Sequence, residues 1–149
     1  MITRPARGRV ALALLVLGTL VLVAGPAAAQ PRNPMMIRQQ IENSLSLQRE
    51  AMASIGQPER AVKLVWDAYV SMRAAHGAMV INASSAKYPD PIFPLTDRRV
   101  EQARAHILAA RDALRDPAKW SGSGNAIDIA RENLSAAMRL TQIILATTF

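Results

Sequence analysis

The chain has no cysteine, only six aromatic side chains, and no Arg-Arg pair ahead of its one long apolar run. The missing thiols exclude a disulfide framework, cysteine-ligated zinc or iron–sulfur centres, thiol catalysis, covalent haem attachment and a lipid-carrying amino-terminal cysteine. So few aromatic rings exclude a base-stacking platform for single-stranded nucleic acid. Half of the 149 residues are hydrophobic, which excludes a disordered charged tail. The length fits one domain.

What is present first is a leader. Arg4, Arg7 and Arg9 precede an uncharged run of 16 residues from Val10 to Gly25, followed by Pro26 and Ala27-Ala28-Ala29. A basic start, an apolar core and small residues before the scissile bond are the marks of a cleaved secretory signal peptide, with cleavage after Ala29. A retained anchor is the alternative, but a spanning helix needs about 20 residues. The expectation is a signal peptide over 1–29, a mature domain over 30–149 and a periplasmic or secreted location. Removing the three leader arginines leaves 15 basic and 11 acidic side chains, a net charge of +4. That small excess, alternating in sign along the chain, gives little reason to bind nucleic acid. The remaining 120 residues are enough for a self-supporting core.

Four segments of the mature chain carry apolar residues at helical spacing, separated by proline and glycine. The expected ranges are 34–55, 58–86, 96–115 and 125–148, forming an all-α, antiparallel up-down-up-down four-helix bundle. Gly56 suits a left-handed cap after the first helix, and Pro58 suits a first turn. Lys87–Leu95 (KYPDPIFPL) holds three prolines and reads as an extended connection, with Thr96 capping the third helix. Ser121-Gly122-Ser123-Gly124 reads as a hinge, and Asn125 with Asp128 resembles a capping box. The expected core stripes are Ile37, Ile41, Ser44, Leu45, Gln48, Met52 and Ile55; Val62, Val65, Tyr69, Met72, His76, Met79 and Ala83; Val100, Ala103, Ile107, Ala110 and Leu114; and Ile127, Ala130, Leu134, Ala137, Met138, Thr141 and Leu145.

The fourth helix has a second apolar side, Ile129, Ala136, Leu140 and Ile143, and the ten residues after Arg139 carry no charge. Such a side fits a docking surface for a second copy, as a homodimer, or for another exported protein. Alternatively, the Tyr88–Phe93 loop or the Trp120 turn covers it.

His76 falls on the second core stripe between Met72 and Met79. A buried imidazole needs a partner, which Ser44, Gln48, Tyr69 and Thr141 can supply as a polar layer. The alternative is a cofactor: His76 with Met72, Met79 or His106 as ligands to haem b or copper. In size and layout the chain is similar to the single-haem four-helix cytochromes. It lacks the Cys-x-x-Cys-His of one kind and the carboxyl-terminal histidine ligand of another.

No carboxylate pair stands out as acid and base, and neither histidine follows a glutamate at the Glu-x-x-His spacing of di-iron sites. Arg104, Arg111 and Arg115 share a side of the third helix, where Glu101 and Asp112 can pair with them. The sequence therefore reads as an exported, non-enzymatic helical bundle that acts by protein–protein contact in an adaptor, chaperone-like or envelope accessory role, with no catalytic constellation and no metal site.

Overall fold

The computed structural model describes residues 32–86, 92–116, 118 and 125–149. The expected leader, residues 87–91 of the proline-rich connection and the Ser-Gly-Ser-Gly stretch expected to be a hinge lie outside the described residues. The described chain is a four-helix bundle: α1 (Pro34–Ala53), α2 (Pro58–Ser85), α3 (Phe93–Arg115) and α4 (Ala126–Thr148). No strand occurs among the described residues. None of these helices is long and apolar enough to cross a membrane.

The helix ends follow local chemistry. Asn33 caps α1, its side-chain oxygen accepting from the Met35 amide at 2.9 Å, and Pro34 takes the first turn. Asn125 caps α4 in the same way, accepting from the Ile127 amide at 3.0 Å. The expected capping box is only half formed, because the Asp128 carboxylate turns to Arg131 at 2.6 Å. Helix α1 stops at Ala53 rather than Ile55. Ser54 caps it, and Gly56 does not adopt a left-handed φ.

Helix α3 starts three residues before Thr96, because Pro94 sits in the first turn, where a missing amide hydrogen costs nothing. Thr96 is therefore not a cap. It is buried inside the helix, its hydroxyl 3.2 Å from that of Thr148.

Helix α1 packs most extensively on α2, and α3 on α4, while α2 with α3 and α1 with α4 close the ring. The two tight pairs are lined by small residues. Ala61, Ala68 and Ala75 on α2 are fully buried, as are Ser44 and Ala51 on α1. Across the other pair the same holds for Ala103 and Ala110 on α3 and for Ala130 and Ala137 on α4. Seven residues return to nearly the same side of a helix, so these steps give one narrow stripe along which backbones approach closely. Ile41, Met72, Ile107, Leu134 and Ile144 fill the space between the pairs.

The expected α2 stripe is corrected in part: Val65, Met72 and Met79 are buried as expected. Its buried side is rotated toward α1, onto Ala61, Ala68, Ala75 and Ala78, whereas Val62, Tyr69 and His76 are only partly buried toward α3. Counting only large apolar residues hid the alanine side. The α3 stripe is as expected, with Ala113 added, and α4 buries Ile144 more deeply than Leu145.

The core keeps one polar layer. The Ser44 hydroxyl donates to the Ala68 carbonyl at 2.8 Å, and the Thr141 hydroxyl to the Ala137 carbonyl at 2.8 Å. Each hydroxyl has spent its single hydrogen, so each accepts from the Gln48 amide nitrogen, at 3.1 and 3.2 Å. This arrangement fixes the orientation of the amide. It also leaves Gln48 Oε1 buried without a hydrogen-bond partner.

Candidate functional site

Two flanks of α3 collect the polar and exposed apolar side chains that sequence reasoning singled out. The first flank lies along α2. The His76 side chain is 13% exposed, and its Nε2 donates to Asp97 Oδ1 at 2.6 Å. Nδ1 lies 3.0 Å from Arg104 Nη1 and 3.2 Å from Glu101 Oε1. A carboxylate only accepts, so Nε2 carries a hydrogen toward Asp97.

The Arg104 guanidinium also bonds Glu101 at 2.8 Å and the Tyr69 hydroxyl at 3.1 Å, and it lies over the Tyr69 ring. Above it, Trp66 stacks on Tyr69 with centroids 5.4 Å apart, and Arg111 covers Trp66 at 4.2 Å. Both nitrogens of His76 are thus engaged, and the cluster ties α2 to α3 through charge-assisted bonds and cation–π contacts.

His76 therefore finds its partners in Asp97 and Arg104, not in the Ser44, Gln48 and Thr141 layer, which lies elsewhere in the core. Tyr69 joins the α3 cluster as well. Arg104 pairs with Glu101 as expected, whereas Arg111 turns to Trp66 instead of Asp112.

The four residues of the cofactor alternative do not converge. Met72 and Met79 are buried among apolar side chains, and His106 lies on the opposite flank of α3. There its Nδ1 donates to the Asn133 amide oxygen at 2.9 Å, and the Asn133 nitrogen donates to the Ile129 carbonyl. Among the described residues, no three His, Asp or Glu side chains are grouped to hold a metal ion.

The second flank is the shoulder between α3 and α4. An open groove of about 480 Å³ is lined by Gln102, Ala105, His106, Ala136, Arg139, Leu140 and Ile143. Three of the four residues expected to form a partner surface line it, and the fourth, Ile129, packs against the core along with Leu140. The strip is not a separate side of α4 but its α3-facing shoulder. Helix α3 covers part of it and leaves Ile143 42% exposed. Of the two covers considered, Tyr88–Pro91 and Trp120 lie outside the described residues. Phe93 lies at the end of the bundle, where it lines an apolar cavity of about 270 Å³ with no ionisable side chain.

No protein-family model, no curated protein and no solved structure matches this chain.

Sequence reasoning missed two features of these flanks. The aromatic–arginine ladder was foreshadowed by Trp66 and Tyr69 one helical turn apart on one segment and by Arg104 and Arg111 two turns apart on another. The pairing of His106 with the second apolar side of α4 had no signal within either helix alone.

Proposed function

We propose that this chain is an exported, non-enzymatic helical bundle that acts by contact with another protein through the shoulder between α3 and α4. The observation that carries the reading is the groove from Ala136 to Ile143, where the apolar side chains of one helix shoulder line a cleft open to solvent. Small side chains at one end, Ala105 and Ala136, and larger apolar ones toward the other, Leu140 and Ile143, suit a partner helix laid along it. The partner is a protein, either a second copy of the chain or another exported protein.

The bundle's antiparallel up-down-up-down course is part of the same reading. It is supported by pairings in which rising numbers meet falling ones: Tyr69 with Arg104 and His76 with Asp97, then Arg99 with Thr147 and His106 with Asn133. Export rests on the basic, apolar and small-residue order of residues 1–29, with cleavage after Ala29. An adaptor, chaperone-like or envelope accessory role follows from binding without catalysis. The polar clusters support this, since each serves to hold helices together.

Site-specific photocrosslinking in the exporting cell tests the reading. A photoreactive residue at Ile143 should give a covalent protein adduct, and one at the exposed Val80 of α2 should not. Absence of any adduct from Ile143 would overturn the proposal.

A further inference from the structure

The charges around the α3–α4 shoulder are arranged in a way that selects among partners. Some charged side chains on the bundle are paired within the chain, as Arg38 is with Glu42, Arg60 with Glu50 and Arg131 with Asp128, and these are not free to meet a partner. Four on this shoulder have no ion pair among the described residues: Arg98 and Asp112 on α3, and Glu132 and Arg139 on α4. All four are exposed.

Arg98 and Asp112 stand seven residues before and seven after the exposed Ala105, so the three share one side of α3. Glu132 and Arg139 stand four before and three after Ala136, and Ile129 and Ile143 stand seven to either side of it. Because Arg99 bonds Thr147 and His106 bonds Asn133, Ala105 and Ala136 lie at similar heights. Arg98 and Arg139 then mark one end of the shoulder, and Asp112 and Glu132 the other. The face is basic at one end, acidic at the other, and small in the middle.

A two-fold rotation about an axis across that middle exchanges the two ends. An isologous contact requires this kind of self-complementarity, whereas a face made for an unrelated partner has no reason to be antisymmetric about its own centre.

Resting on the contact surface proposed above, we propose that its occupant is a second copy of this chain. The two-fold axis passes near Ala136, and α4 lies antiparallel to its counterpart. Glu132 then meets the partner's Arg139, Ile129 meets the partner's Ile143, and Arg98 comes opposite the partner's Asp112. Ala105 and Ala136 let the backbones approach.

Sedimentation equilibrium of the purified protein over a wide concentration range tests this, with circular dichroism confirming that each variant is folded. Wild type should dimerise. Glu132→Arg and Arg139→Glu should each weaken the dimer on the order of tenfold or more, because each sets like charges opposite one another twice. The double variant E132R/R139E should bring the constant back to within a few-fold of wild type. Glu59→Arg, on α2, should leave it unchanged.

A strict monomer overturns the inference, and so does a folded double variant that stays as weak as the single ones. The Ile143 crosslink separates the two proposals. An adduct of twice the chain's mass supports the second copy, and an adduct only with a different protein overturns it while sustaining the contact surface. No adduct overturns both.

Discussion

Replacing Gln48 with methionine should leave the bundle as stable as wild type or slightly more so, although it removes two buried hydrogen bonds. The amide nitrogen gives one bond each to Ser44 and Thr141. A neutral bond of this kind contributes about 0.5–1.5 kcal/mol net, so the loss is about 1–3 kcal/mol. The same substitution removes Oε1, a buried acceptor with no partner, whose desolvation costs about 1–3 kcal/mol. Neither hydroxyl is left with an unsatisfied hydrogen, since Ser44 still donates to Ala68 and Thr141 to Ala137. Methionine fills nearly the same volume and adds apolar contact, so the net change should fall within about 1 kcal/mol of zero, on the stabilising side. Gln48→Ala also removes Oε1 but opens a void in a fully buried layer, and should cost about 2–4 kcal/mol. Urea denaturation at constant m-value measures both. A loss above about 2 kcal/mol for Gln48→Met would refute the reasoning, because it would mean that Oε1 is satisfied in the folded protein.

Three further outcomes follow from other parts of the molecule. Ala68→Leu should destabilise by about 1–3 kcal/mol in a urea titration, because Ala68 is fully buried between α2 and α1, with Ser44 bonded to its carbonyl; an unchanged midpoint would show that this stripe has room to spare. Arg111→Ala should cost about 0.5–1 kcal/mol and shift the Trp66 emission in a Trp120→Phe background as the ring loses its guanidinium cover. Unaltered emission would contradict the stacking. The exported protein should begin at Gln30, and amino-terminal sequencing that finds Met1 intact would reject the cleaved leader.

The helices were legible because their punctuation is local. Pro34, Pro58 and Asn125 mark starts by chemistry that acts within a turn, and the structure places each at or next to the first helical residue. Thr96 misled because two start signals compete there. A threonine followed by aspartate reads as a cap, while Pro94 already permits the first turn three residues earlier. The rotation of α2 was hidden for a different reason. Alanine carries little hydrophobic weight, so Ala61, Ala68 and Ala75 were outvoted by Val62, Tyr69 and His76, although close packing between backbones selects the smaller set.

At the candidate sites, single-helix patterns found Ile129, Ala136, Leu140, Ile143, His76 and His106. They gave no account of which residue on one helix meets which on the next. Asp97 as the partner of His76, and Asn133 as that of His106, depend on the register between helices, and that register is set by packing along whole seams.

The alanine-lined seams divide the bundle unevenly. Within each helical pair the backbones are close and the side chains short; between the pairs, larger and more deformable groups make the contact. Opening events that cross from one pair to the other disturb the less extensive contacts, whereas prying a pair apart must undo the most extensive ones in the bundle. Amide exchange should therefore report two cooperative blocks, residues 34–85 and 93–148, each losing protection as a unit.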